Sequence, residues 1–138
     1  MILALVLLAV WVYLAATVIA AGRFARRRIV LPAEKPPVSV LKPLYGAEPG
    51  LYENLLSFVD QDYPAVQVVF GVRGSDDGAL PIARRVAAAR PGRDTALVVD
   101  SRVSGRNLKV ANLVNMLPAA RHDVLVFADA DMRVGRDY

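Results

Sequence analysis

Apolar and polar positions divide the chain into two regimes. From Met1 to Gly22 no side chain is charged, and Ile2 to Ala20 is apolar almost throughout. About 20 helical residues rising about 1.5 Å each cover a hydrocarbon layer of about 30 Å, so this stretch predicts a transmembrane helix. From Val38 onward the pattern changes to short apolar runs separated by amphipathic stretches. Residues 38–41 predict a strand ending at Lys42-Pro43. A helix follows, with Pro49 suited to its first turn and Leu51, Leu55, Phe58 and Val59 on one face, and Tyr63-Pro64 ends it. Residues 66–72 are apolar nearly without interruption, as a strand covered on both faces is. The polar turn 73–78 leads into a second helix with Leu80, Ala83, Val86 and Ala87 on one face, stopped by Pro91-Gly92. Residues 95–99 predict a third strand. A third helix over 108–117 is expected to bury Leu108, Ala111, Val114 and Leu117, with Pro118 closing it, and residues 124–127 predict a fourth strand.

Strands alternating with helices at this spacing predict an α/β fold with right-handed crossovers, a parallel sheet and helices on its faces. Such sheets bind ligands beyond the carboxyl ends of their strands. The expected organisation is an anchor at 1–22, a basic juxtamembrane and Pro-rich linker at 23–37, and a domain from 38 to 138. No covering element follows the fourth strand, so the domain reads as the amino-terminal part of a larger one. The linker carries Pro32, Pro36 and Pro37. At about 3.1 Å per residue it reaches at most about 30 Å, which keeps the domain close enough to the bilayer to reach a lipid substrate.

Charge refines this picture. A cleaved signal peptide places basic residues before a shorter apolar stretch. Here Arg23, Arg26, Arg27 and Arg28 follow it, which favours an uncleaved anchor, while the Ala-rich segment 15–21 leaves cleavage open. By the positive-inside rule the arginines hold the downstream domain on the cytoplasmic side of the cell inner membrane, with a single pass. The same four arginines account for the whole net charge of +4. The excess therefore belongs to the bilayer and its anionic headgroups, and nucleic acid is not an expected partner. The absence of cysteine excludes a disulfide framework and a thiolate metal site.

Three clusters can carry chemistry. Phe127-Ala128-Asp129-Ala130-Asp131 lies where the fourth strand leaves the core. Carboxylates two residues apart diverge on a continuing strand, but a turn converges them on one cation. Oxygen ligands suit Mg²⁺ or Mn²⁺, which neutralises charge on a departing diphosphate. Asp76 and Asp77 follow the second strand at the same edge, and one of them can cap the next helix while the other binds. Gly105-Arg106-Asn107-Leu108-Lys109 opens the third helix with a basic residue that the macrodipole disfavours. A diphosphate would give Lys109 a reason to be there; the alternative is that it reaches into solvent. His122, the single histidine, sits in a polar turn and reads as incidental. Dinucleotide, P-loop and serine-esterase signatures are absent.

The order of Val38-Ser39-Val40-Leu41-Lys42-Pro43-Leu44-Tyr45-Gly46, Ser57-Phe58-Val59-Asp60-Gln61-Asp62-Tyr63-Pro64, Asp76-Asp77 and Phe127-Ala128-Asp129-Ala130-Asp131 resembles the inverting glycosyltransferases of family 2. The Lys-Pro-Leu segment, the paired aspartates and Gly105-x-Asn107-x-Lys109-x-x-Asn112 resemble more narrowly the ceramide glucosyltransferases and the bacterial hopanoid-biosynthesis glycosyltransferases. The resemblance implies a GT-A fold, a UDP-sugar donor carrying a hexose or N-acetylhexosamine, Mg²⁺ or Mn²⁺, and a membrane lipid acceptor. It places Asp77, with Asp76 as the near alternative, beside the nucleotide. Asp129 matches the second family aspartate, Asp131 completes the metal motif, and Lys109 meets the donor. Val72-Arg73 stand where the family commonly has an acidic residue. The family's third aspartate, its general base, and its Gln/Arg-x-x-Arg-Trp segment have no counterpart here, so no catalytic residue is expected within these 138 residues.

Two other readings remain. An Asp-x-Asp phosphatase places its motif on the first strand and usually has Thr or Val where Arg133 stands, so it is disfavoured. A membrane-tethered nucleotide-sugar-binding module without activity, or an inert truncated product, is the other. The excess of Arg over Lys and the abundant Ala suggest a GC-rich bacterial genome and tilt the acceptor toward a hopanoid.

Overall fold

Alternation along the strands decides which layer each side chain joins. The computed structural model describes residues 2–27 and 34–138, which fall into two units, 1–33 and 34–138. Arg28 of the basic cluster and residues 29–33 of the linker lie outside the described residues.

In the first unit, helix α1 spans Ile2–Ala25, three residues beyond Gly22, with no buried side chain. It is long and apolar enough to cross a membrane. Its one hydroxyl-bearing aliphatic residue, Thr17, donates to the Leu14 carbonyl at 2.8 Å, so the helix satisfies this polar group internally, as a hydrocarbon environment requires.

The second unit is an α/β layer structure. Strand β1 (Val38–Pro43) is followed by α2 (Leu51–Val59), β2 (Val66–Val72), α3 (Ala79–Ala89), β3 (Asp94–Val99), α4 (Leu108–Met116), a 3-10 turn (Leu117–Ala119) and β4 (Val124–Phe127). All strand pairs are parallel, in the order β3-β2-β1-β4. Val40, Val68, Phe70 and Val72 point to the face covered by α2 and α3, where Leu55, Phe58, Leu80 and Val86 meet them. Leu41 and Val69 point to the other face, against Met116 of α4. The first two helices thus bury the faces their periodicity predicts. Helix α2 starts later than expected, at Leu51: Gly50, at φ 78°, turns the chain into it, so Pro49 lies before the helix.

Helix α4 differs from expectation. Its buried positions are Ala111, Asn112, Asn115 and Met116, whereas Leu108, Val114 and Leu117 are exposed. Steps of three residues advance about 300°, so the expected stripe drifts about 60° at each step and leaves the sheet. Two amides take the inward positions because they have carbonyls to meet. Asn112 Nδ2 donates to the Gly71 carbonyl at 2.9 Å, and Asn115 Nδ2 donates to the Arg102 carbonyl at 2.9 Å and that of Asp100 at 3.2 Å. Met116 fills the space left by Gly71, where an added Cβ would stand 2.3 Å from its sulfur.

Candidate functional site

Parallel strands deliver their following loops to one edge; Asp76, Asp77, Asp129 and Asp131 lie on those loops and Lys109 in the first turn of α4, whereas His122 precedes β4. The chain leaves β1 through Leu44, whose N–H donates to the Gly71 carbonyl at 2.7 Å, and reaches Gly46 at φ 72°. That left-handed residue aims its N–H at Asp77 Oδ1, 2.8 Å away, and the same oxygen accepts from Ala79 N–H at 2.8 Å. Asp77 therefore secures the start of α3 and ties the β1 loop to the β2 loop. Asp76 is exposed beside it. Both line a pocket of about 520 Å³ with Tyr45, Arg73 and Ser101.

The acidic pair stands on a turn. After β4, Ala128 N–H still donates to the Leu41 carbonyl, and the chain then folds back so that Met132 N–H meets the Asp129 carbonyl at 3.3 Å. Asp129 and Asp131 share a pocket of about 220 Å³ with Pro43, Tyr45, Glu48 and Lys109. Tyr45 lines this pocket and the Asp76-Asp77 pocket alike, so the two acidic clusters border one continuous surface.

The Lys109 side chain is exposed and paired, and the helix terminus behind it is closed. Asn107 caps α4, its Oδ1 accepting from the N–H groups of Lys109 at 3.0 Å and Val110 at 3.2 Å. Those two backbone donors are occupied, so what this residue offers an anion is its ammonium group, which pairs with Asp129 Oδ1. The carboxylate offsets the mismatch between Lys109 and the helix dipole.

Lys42 is the feature that sequence reading missed. It follows Val38 and Val40 on the α2–α3 face of β1 and is fully buried. Its Nζ lies 3.6 Å from the centre of the Phe58 ring and donates to the Asp129 carbonyl at 2.6 Å. Burial pushes its pKa down to about 8, against the opposing pull of the Asp129 and Asp131 carboxylates. The available signal was a charged residue at an inward position of a strand that is otherwise buried.

Among the described residues no group of three or more His, Cys, Asp or Glu side chains is placed to enclose a metal ion. The donor set is still the right kind. Exposed carboxylates of Asp129 and Asp131, with Glu48 lining the same pocket, are hard oxygen ligands. A Mg²⁺-like ion is commonly held by one or two carboxylates, waters and substrate phosphates, not by a closed protein cage. His122 lies elsewhere, lining a separate pocket with Tyr63 and Asp94. A groove of about 540 Å³ along α2, bordered by Arg90, Arg93, Arg133 and Arg136, contains none of the candidate residues.

Known proteins are similar to this chain in sequence and fold. The sequence pattern described as Glycosyl transferase family 21 matches residues 2–138. Ceramide glucosyltransferase 1 of Caenorhabditis elegans is 30% identical over 95 residues, covering 69% of this chain and 20% of that protein. The ceramide glucosyltransferase of Komagataella phaffii is 26% identical over 117 residues, covering 81% of this chain and 23% of that protein. Among solved structures, the mannosyltransferase PcManGT from Pyrobaculum calidifontis, in complex with GDP-Man and Mn²⁺, superposes with a TM-score of 0.68 at 29% identity, covering 85% of this chain and 35% of that one. The fold is thus GT-A-like, as the sequence led us to expect. The chain spans about a fifth to a quarter of the length of these curated relatives.

Proposed function

Because the chain belongs to glycosyl transferase family 21, we propose that it is the donor-binding part of a membrane glycosyltransferase. The whole enzyme moves a hexose or N-acetylhexosamine from a UDP-sugar to a lipid of the hopanoid or ceramide type, with inversion at the sugar. One observation carries this reading: Asp129, Asp131 and Lys109 meet in a single pocket at the carboxyl edge of the sheet, contiguous through Tyr45 with the pocket of Asp76 and Asp77. Relatives named as ceramide glucosyltransferases support the lipid acceptor. A relative holding GDP-Man and Mn²⁺ supports a nucleotide sugar and a divalent metal, though not the choice of uridine.

In this reading Asp76 and Asp77 take the nucleoside end of the donor, with Asp77 giving one oxygen to the backbone and keeping the other. Asp129 and Asp131 hold Mg²⁺ or Mn²⁺, whose charge, when bound, stabilises the diphosphate as the sugar leaves. Lys109 stands where it can exchange the Asp129 carboxylate for a phosphate oxygen, a point-charge contact suited to an ammonium. Helix α1 and its arginines keep the domain at the cytoplasmic face of the inner membrane, within reach of the acceptor. The general base is expected from residues other than these.

Titration of UDP with Mn²⁺ into the chain reconstituted in lipid nanodiscs tests this. The double substitution Asp129→Ala/Asp131→Ala is expected to weaken UDP·Mn²⁺ at least about tenfold while leaving metal-free UDP unchanged. Equal UDP·Mn²⁺ affinity in both proteins would refute the assignment. GDP binding more tightly than UDP would retain a nucleotide-sugar transferase and change the donor.

A further inference from the structure

A buried ammonium needs a reason, because removing it from water is costly unless its hydrogen bonds are met. Around Lys42 the core offers only the face of the Phe58 ring, 3.6 Å from Nζ; Val40, Val68 and Phe70 on that face are apolar and buried. An apolar side chain of the same length would fill the space. What the lysine reaches instead is the main chain of the turn bearing the acidic pair, at 2.6 Å from the Asp129 carbonyl. The other hydrogen bonds that the turn's main-chain carbonyls accept are longer: Met132 N–H to the same carbonyl at 3.3 Å and Asn54 Nδ2 to the Ala130 carbonyl at 3.3 Å. A charge-assisted bond of the shorter length is the strongest of the three.

We propose that Lys42 is a positioning residue for the acidic pair: by clamping the Asp129 carbonyl from inside the core, it fixes the turn on which both carboxylates hold a divalent cation. This rests on the metal-binding role proposed above for Asp129 and Asp131. Lys42 reaches the ion through the turn alone, and three accounts of it differ in sign. If the ammonium acted only through space, removing a positive charge near the carboxylates would tighten cation binding. If it served only the fold, its loss would lower stability and leave cation affinity in the folded protein alone. If it positions the turn, an apolar replacement keeps or raises stability, as replacing buried charge often does, and cation binding weakens.

The experiment measures free Mn²⁺ by electron paramagnetic resonance, with and without UDP, together with Tm, on the full chain in nanodiscs. Lys42→Met is expected to leave Tm unchanged or higher and to weaken Mn²⁺ about tenfold, the usual scale for a residue that supports a metal ligand. Lys42→Gln, whose amide can still donate, is expected to fall between Met and the wild type. Wild-type or tighter Mn²⁺ binding by Lys42→Met overturns the proposal. Should that variant fail to fold, Lys42→Gln decides by the same criterion. Asp129→Ala/Asp131→Ala runs in parallel. If it loses Mn²⁺ while Lys42→Met does not, only the positioning role falls; if it too binds normally, the metal site and this inference fall together.

Discussion

The two faces of the sheet are covered by different means. On one, α2 and α3 present leucine, valine and phenylalanine to Val40, Val68, Phe70 and Val72, and attraction there is the non-directional burial of apolar surface. On the other, α4 sets Met116 against Leu41 and Val69 and adds aimed hydrogen bonds, from Asn112 to the Gly71 carbonyl of β2 and from Asn115 to the Asp100 and Arg102 carbonyls in the loop after β3, with one close approach at Gly71. The apolar face is a scaffold that tolerates rearrangement. The polar face fixes the angular setting of α4 and hence of Lys109, which must arrive at Asp129 from the other side of the sheet edge.

This contrast is broken most directly by truncating one large aliphatic side chain on each helix. Leu55→Ala, at a fully buried position of α2, is expected to cost about 2–5 kcal/mol through lost burial and the cavity left behind. Val114→Ala, on the exposed side of α4, is expected to change stability by no more than about 0.5 kcal/mol. Denaturant melts of the two variants measure both. Similar losses from the two would mean that α4 is held by the stripe of Leu108, Val114 and Leu117 after all, and that the asymmetry between the faces is wrong.

The same contrast explains what could be read in advance. Element order, the parallel sheet and the buried faces of α2 and α3 were legible because apolar periodicity is the force that places them. Asp129, Asp131 and Lys109 were legible as a group because parallel strands deliver their loops to one edge, and the structure does bring them into one pocket. The setting of α4 was not, since Asn112 and Asn115 count as polar in any pattern and their partners are carbonyls distant in sequence. Lys42 escaped for a related reason. A lysine at a strand end reads as the start of a solvated loop, and only the return of the chain after β4 shows that its ammonium is enclosed.

A smaller effect sharpens the account of the α4 face. Gly71 is where β2 admits the helix: a Cβ there would stand 2.3 Å from Met116 Sδ, 2.5 Å from its Cγ and 2.9 Å from Asn112 Oδ1. Gly71→Ala should cost about 1–3 kcal/mol, the range for overpacking. Because Met116 is flexible, pairing the change with Met116→Val should recover part of the loss, which a double-mutant cycle reads as coupling. Additive losses would show that α4 does not depend on this approach.

The smallest expected effect lies between α2 and α3, where Arg90 makes a paired contact to Asp60 at 2.7 and 2.9 Å. The bond from Arg90 lowers the Asp60 pKa from 3.8, with Arg93 and Arg136 adding to the pull. A carboxylate whose folded pKa lies below its unfolded value stabilises the fold above the unfolded value and stops doing so as pH falls through the folded one. The difference in Tm between the wild type and Arg90→Gln should therefore be present at pH 7 and shrink below about pH 4. It should also shrink in 1 M salt, because the pair is partly exposed and so screened. If apolar burial is what joins these two helices, that difference stays well below the loss from Leu55→Ala. An Arg90→Gln loss of comparable size, insensitive to salt and to acid, would mean that directed contacts govern this face as well, and the two sides of the sheet would no longer be different in kind.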